Sequence, residues 1–122
     1  MAEQSAQGNQ AKLIFACSGA ADVGELSDKA ARQLHREGIG KMFCLAGVGA
    51  KLNNFIETTQ AASQILVVDG CPMDCAKKSM ENAGISNFDY IRITDMGFQK
   101  GKSEINNQTI ETIAAKGREF LK

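Results

Sequence analysis

Tryptophan is absent from this sequence of 122 residues, which contains one tyrosine, one histidine and one proline. Because aromatic residues are so few and are not interleaved with basic ones, a surface on which nucleic-acid bases stack is not expected. Fourteen basic residues balance fourteen acidic ones, so no net field attracts nucleic acid or an anionic membrane. The predicted partners therefore include neither nucleic acid nor membranes.

Long apolar runs are also missing, and none approaches the length of a membrane span. The segment Ile14–Cys17 resembles the cleavage box of a bacterial lipoprotein signal, but such a signal needs a positively charged start and a longer apolar run. Here residues 1–10 are polar and the first basic residue is Lys12. We therefore predict a cytoplasmic protein. In that reducing compartment, four cysteines indicate metal or redox chemistry more than structural disulfides.

The length predicts one domain. Residues 1–11 are rich in Gln, Ala, Ser, Gly and Asn and are predicted to form a disordered tail, with a single α/β domain over residues 12–122. Apolar strand patterns alternate with helical patterns after the tail. Strands are predicted at Lys12–Ala16, Lys41–Leu45, Gln64–Asp69 and Phe88–Thr94, with helices after each of them, the last at Asn107–Leu121, and a flexible loop at Ala46–Ala50.

This alternation with short loops predicts a parallel sheet covered by helices on both faces. Gln64–Asp69 is the most hydrophobic strand and is β-branched in character, so it is expected at the sheet centre. We expect the first strand between the second and third, which gives a small doubly wound, Rossmann-like sheet of about four mainly parallel strands. Ligands of such folds bind beyond the carboxyl ends of the strands.

Four cysteines carry the most specific signal in the sequence. Cys17, Cys44 and Cys71 lie at or just past the ends of the first three predicted strands, and Cys75 follows Cys71 by one helical turn. Because the ends of parallel strands share one edge, the four thiols are expected to converge there. Their spacings of 26, 26 and 3 intervening residues differ from the paired Cys-x-x-Cys motifs of a zinc ribbon. The predicted site is therefore assembled by tertiary structure.

The helices that follow the cysteine-bearing loops would favour thiolates, since helix N-termini carry unpaired N–H groups and partial positive charge. Pro72 suits the first position of a helix, which makes Cys71 its predicted N-cap. Core packing would be a sufficient explanation for one cysteine. For four cysteines at one edge, a shared metal or redox site is the favoured explanation.

Two aspartates also end predicted strands, and Asp69 and Asp95 could line the same cleft. Asp69 could accept hydrogen bonds within the Gly70–Cys71 turn, or support a metal ligand as its outer partner. Structural roles are sufficient for the remaining candidates: Asp22 in a capping box with Glu25, Asp74 at a helix start, His35 on the surface of the first helix, and Met42, Met73, Met80 and Met96 as core fillers.

The segment Val68–Lys78, VDGCPMDCAKK, resembles the central motif of the DGC-domain family, small prokaryotic proteins to which zinc binding is ascribed. Cys17–Ala20 and Lys41–Gly47 resemble its two upstream motifs, and the likeness extends from about Leu13 to Gly97. The resemblance implies that Cys17, Cys44, Cys71 and Cys75 chelate the metal and that Asp69 and Gly70 are the other motif positions at the cofactor site. It implies no established reaction.

Two classes of function follow from the cysteines. The first is a zinc-binding protein with one ion on four thiolates, which leaves no open coordination position and suits a structural, sensing or metal-handling role. The second is a thiol-redox or sulfur-transfer protein in which Cys71 and Cys75 form a pair with Cys17 or Cys44 as exchange partner. Zinc on three thiolates with an exchangeable water, or an iron–sulfur cluster, would use the same residues.

Overall fold

A computed structural model of the protein describes residues 11–121; residues 1–10 of the predicted tail, and Lys122, lie outside the described part. Strands are labelled β1 to β4 and helices α1 to α5 in chain order. They are β1 (Lys12–Ala16), α1 (Asp22–Arg36), β2 (Lys41–Met42), α2 (Leu45–Gly49), α3 (Asn53–Gln60), β3 (Gln64–Asp69), α4 (Cys75–Asn82), β4 (Asp89–Arg92), a 3-10 helix (Ile93–Met96) and α5 (Asn107–Phe120).

The four strands form one parallel sheet in the order β2-β1-β3-β4. This confirms the α/β class, the position of β1 between β2 and β3, and the internal position of β3. Five residue pairs join β1 to β3, from Lys12 opposite Gln64 to Ala16 opposite Val68. Because the register is unshifted, the two central strands end together. The segments that follow them therefore start from the same edge.

The two faces of the sheet support separate hydrophobic cores, since alternate strand residues point to opposite sides. Ile14 and Leu66 belong to the core that includes residues of α1 and α5, whereas Phe15 and Val67 belong to the core that includes residues of α2 and α4. Helices therefore cover both faces, as predicted. In the part of the chain covered by residues 11–121, no helix has the length and apolarity needed to span a membrane.

Two strands are shorter than predicted. β2 ends at Met42, and the predicted flexible loop at Ala46–Ala50 is largely the helix α2. Gly47 packs so closely on Phe55 that a β-carbon there would lie 2.7 Å from the Phe55 ring, which explains how a sequence rich in glycine is held as a helix. β4 ends at Arg92 because the chain turns into the 3-10 helix, which closes at Gly97 with φ of 99°.

Glycine contacts hold the loop after β1, the start of α1 and the end of β3 together. A β-carbon on Gly24 would lie 2.6 Å from the carbonyl oxygen of Gly19, and one on Gly70 would lie 2.8 Å from the backbone of Val23. Both distances are shorter than real β-carbon contacts. The first turn of α1 therefore fixes the position of the loop that follows Cys17 and of the residue that precedes Cys71.

We expect Gly24→Ala to destabilise the fold by about 1–3 kcal/mol, because the new methyl group meets backbone atoms that cannot turn away. This exceeds the gain of up to about 1 kcal/mol that alanine brings to a helix interior. Gly19→Ala is the matched control, since no heavy atom lies within 4 Å of its added β-carbon. Urea unfolding measures both variants; a Gly24→Ala protein as stable as the parent would contradict the close contact.

Candidate functional site

Cys17 lies directly after β1 and continues its ladder, since its backbone N–H donates to the carbonyl of Val68 at 3.0 Å. Its Sγ lies 3.3 Å from Oγ of Ser27. The hydroxyl proton of Ser27 is directed to the carbonyl of Gly24 at 2.7 Å. Because a hydroxyl has one proton, the Cys17 thiol is the donor in its contact with Ser27. Ser27 is fully buried, and no sequence pattern indicated its role.

Cys71 and Cys75 border a turn that differs from the prediction. α4 begins at Cys75, and its N-cap is Asp74, which adopts the left-handed conformation with φ of 57°. Cys71, predicted as the N-cap, instead accepts a hydrogen bond from the Asp74 N–H through its carbonyl oxygen at 3.1 Å. Pro72 lies in this turn and not in the helix. The predicted helix start at Pro72 is therefore wrong by three residues.

Asp69 explains where α4 begins. Its carboxylate accepts hydrogen bonds from the backbone N–H groups of Ala76 and Lys77 at 2.8 and 2.9 Å, and from the hydroxyl of Tyr90 at 2.8 Å. The first-turn N–H groups of a helix need such acceptors. Asp69 is 1% exposed, so it serves α4 and β4 from inside the protein. The predicted bonds within the Gly70–Cys71 turn are not the ones it makes.

Asp74 is held by β4 and does not cap a helix with its side chain. Arg92 donates to both carboxylate oxygens of Asp74, at 2.8 Å from Nε and 2.6 Å from Nη2, and the Tyr90 hydroxyl lies 2.9 Å from Oδ1. The hydrogen bonds from Arg92 are the main cause that lowers the pKa of Asp74. The pKa of Tyr90 is raised, mainly by partial burial and next by its hydrogen bonds to the carboxylates of Asp69 and Asp74. The Tyr90 hydroxyl therefore stays neutral and can donate its proton.

Tyr90 and Arg92 were not among the predicted site residues, although one signal was available. They are two residues apart in a strand, so their side chains share a face, and Arg92 lies opposite Asp69 in the β3–β4 register. Asp95, predicted to line the cleft with Asp69, is an exposed partner of Arg92 at 3.2 Å.

A loop after the 3-10 helix lies against Cys71. The Lys100 Nζ is 3.9 Å from the Cys71 Sγ. Asp22 holds this loop by accepting hydrogen bonds from the N–H groups of Gly101 and Ser103, both at 2.9 Å, and these bonds lower its pKa. The predicted capping box of Asp22 with Glu25 is not formed, because the N-cap of α1 is Ala21 and makes no side-chain cap bond.

Cys44 lies on the other side of Cys17 and is the N-cap of the short helix α2. Its Sγ accepts a long hydrogen bond of 3.4 Å from the Gly47 N–H. Its side chain is exposed, as is that of Cys75, whereas Cys17 and Cys71 are half-buried; all four are free thiols. His35 is exposed as predicted, and its Nδ1 accepts the Met42 N–H at 3.0 Å.

The thiols line two cavities, and Cys17 belongs to both. Cys17, Cys71 and Cys75 line a cavity of about 290 Å³, named here the three-thiol cavity. Cys17 and Cys44 line a second cavity of about 580 Å³. Met73 also lines the three-thiol cavity and is 62% exposed, so its predicted role as core filler is wrong, whereas Met80 is fully buried as predicted. Within residues 11–121, no three His, Cys, Asp or Glu side chains already form a metal site.

We expect Asp69→Asn to destabilise the protein by about 1–3 kcal/mol, because a carboxamide cannot satisfy two backbone N–H groups and a phenol together. Hydrogen exchange at the Ala76 and Lys77 amides should accelerate as well. Asp89→Asn, at the start of β4, is a control that should change both quantities little. Unchanged amide protection in Asp69→Asn would contradict the proposed capping of α4.

The Arg92–Asp74 pair predicts a pH dependence of stability. A carboxyl group whose folded pKa is lowered contributes stability above its ordinary value of 3.8, and that contribution is lost as the pH falls through the folded pKa. The stability difference between the parent and Arg92→Gln should therefore be largest near neutral pH and shrink in acid. Urea unfolding at several pH values measures it. Lys29→Gln, which breaks an exposed pair with Glu25, is the control and should differ little from the parent at any pH. A stability difference for Arg92→Gln that grows in acid would contradict the assignment.

Comparison with known proteins agrees with the motifs at this edge. The model of a family described as DGC domain matches residues 13–116. The chain is 29% identical over 92 residues to the anaerobic and virulence modulator AnvM of Pseudomonas aeruginosa, which covers 75% of this chain and 70% of that protein. No solved structure matches the chain. The family match includes all of the sheet except its first residue, Lys12, and every cysteine, and the chain therefore belongs to the DGC-domain family.

Proposed function

We propose that the protein binds one zinc ion through Cys17, Cys71 and Cys75, with Cys44 as the fourth ligand. The observation that carries the proposal is that three of the four cysteines line one small cavity at the carboxyl edge of the sheet. Thiolates are preferred zinc ligands, and four of them make the closed tetrahedral site typical of structural zinc.

Four thiols suit zinc chemically, but in this arrangement they must move closer together before they can bind one ion. The three-thiol cavity is not yet a metal site in the described residues, and Cys44 lines the neighbouring cavity. Cys44 and Cys75 are exposed, the first as the N-cap of α2 and the second as the first residue of α4, so their side chains have room to turn towards Cys17. Binding would then bring together the segments that carry the thiols.

Residues around the thiols complement such a site. The Lys100 Nζ lies 3.9 Å from the Cys71 Sγ, where its charge would offset part of the net negative charge of zinc bound by four thiolates. Asp69 holds Ala76, directly after Cys75, and Arg92 holds Asp74, directly before it. Outer hydrogen bonds of this kind orient a ligand for the ion.

A regulatory role follows from this kind of site. Four thiolates leave no open position for a substrate or water, which favours sensing or metal handling over hydrolysis. The name of the Pseudomonas relative describes a modulator, in agreement with a regulatory role. A cytoplasmic location, predicted from the sequence, belongs to the same proposal.

Thiol exchange is the second candidate, and one observation favours it: Cys17 borders both cavities, next to two exposed thiols. In that case Cys17 could exchange a disulfide with a thiol of either cavity. An iron–sulfur cluster would use the same four thiolates.

Anaerobic purification followed by metal analysis and an absorption spectrum tests these functions. We expect one zinc per chain, no visible colour and a rise in melting temperature with added zinc, since a ligand that binds only the folded state stabilises it. Ser replacements of Cys17, Cys71 and Cys75 should each abolish most of this rise. A similar loss in Cys44→Ser would indicate four ligands, and a small loss would indicate three. His35→Gln, which removes the only histidine, should leave zinc binding intact.

Two results would contradict the zinc assignment. Iron with labile sulfide and a brown colour would show a cluster. Protein that takes up no zinc and has two rapidly reacting thiols would favour thiol exchange.

A further inference from the structure

A groove with basic walls lies between the C-terminal half of α1 and the segment that follows β2. Its lining residues are Arg32, His35, Arg36, Met42, Phe43 and Cys44, and its volume is about 470 Å³. This basic groove adjoins the Cys17–Cys44 cavity, because Arg32, Met42, Phe43 and Cys44 line both. Its size lies in the range of small-molecule sites.

The charges of the groove are not fully balanced. Arg32 is paired with Asp28, its Nε lying 2.7 Å from Oδ2. By comparison, Arg92 and Arg118, which do not line the groove, are each paired with two acidic residues. Arg36 makes no ion pair within the described residues 11–121. Its position in the last turn of α1 suits the helix dipole, but that interaction leaves its guanidinium donors available. A planar guanidinium recognises carboxylates and similar anions with paired hydrogen bonds.

His35 adds a defined donor. Because its Nδ1 accepts the Met42 N–H at 3.0 Å, the neutral ring carries its proton on Nε2. The same bond fixes the α1 wall of the groove to the end of β2, two residues before Cys44. The position of His35 and of the last turn of α1 relative to Cys44 is therefore set by the fold.

Cys44 supplies the thiol of the groove. Its side chain is exposed, and among residues 11–121 its Sγ makes one long hydrogen bond, with the Gly47 N–H at 3.4 Å. Disulfide exchange requires such an accessible thiol, since its sulfur must reach the sulfur that it attacks. Thus one groove combines anion-binding groups with an accessible sulfur.

We propose that the basic groove binds a small disulfide that carries carboxylates and directs its exchange to Cys44. The Cys44 thiol loses its proton to solvent, and the thiolate attacks one sulfur of the bound disulfide. The disulfide bond breaks, a mixed disulfide forms on Cys44, and the other half leaves as a thiolate. Cys44 is oxidised and the released half is reduced, so no further oxidant is required.

The exchange needs a Cys44 that is not bound to zinc, so it is tested on the full-length, reduced, metal-stripped chain. Dithiobis(nitrobenzoate), a disulfide with one carboxylate on each half, is compared with neutral dithiodipyridine. Quenching by alkylation and peptide mass spectrometry give the rate constant at each cysteine. At each cysteine, the rate constant with the anionic disulfide is divided by the rate constant with the neutral one. This ratio should be highest at Cys44. Arg36→Gln should lower it by about fivefold, the effect of about 1 kcal/mol of charge interaction near water. Added salt should lower it as well.

Lys102→Gln provides the matched control, because it removes one exposed positive charge outside the groove. Its ratio at Cys44 should stay within about twofold of the parent, since exposed charges beyond a Debye length are screened. An unchanged ratio in Arg36→Gln, with the fold verified by urea unfolding, would overturn the proposal. So would a higher ratio at Cys71 than at Cys44, which would assign the anion preference to Lys100. Neither result bears on zinc, which the metal analysis tests separately.

Discussion

The buried carboxylate of Asp69 is the interaction on which the arrangement of the cysteines depends. It ends the internal strand β3, accepts the first N–H groups of α4 and receives the Tyr90 hydroxyl from β4. A buried carboxylate is tolerated only when hydrogen bonds replace the water it has lost, and here three donors do so. One side chain therefore fixes where the helix carrying Cys75 begins. The residues between Asp69 and Cys75 must close a turn of fixed span, which explains the left-handed backbone of Asp74.

Beyond this turn, the site is organised around Cys17. The three-thiol cavity and the Cys17–Cys44 cavity lie on either side of it, and each brings a different cation: Lys100 beside Cys71, and the arginines of α1 beside Cys44. The two sides thus differ in chemical environment although their thiols are alike. This difference allows metal binding and thiol exchange to be separated experimentally in one protein.

Most of the fold was predictable because it depends on local patterns. Apolar runs located the strands, and the parallel order followed from their alternation with helices. The sequence also placed three cysteines at or just after the ends of strands and the fourth, Cys75, within the helix that follows β3. What it could not show were contacts made across the fold. Asp22 looked like a helix cap, but its carboxylate is taken by the Gly101 and Ser103 amides. Pro72 looked like a helix start, but Asp69 satisfies the N–H groups that define the start three residues later. Tyr90 and Arg92 offered only their spacing of two residues in a strand, because their function depends on the β3–β4 register.

The ladder bond of Cys17 has a consequence for the order of events at this edge. Its N–H is joined to Val68 and its strand lies between two others, so its backbone opens only when the sheet itself opens. The segments that carry Cys44 and Cys75 lie outside the sheet. Cys17 is thus the stationary reference point of this edge. If an ion or a disulfide binds here, the adjustment falls to the exposed side chains of Cys44 and Cys75, and it proceeds at the rate of local reorientation, not of domain unfolding.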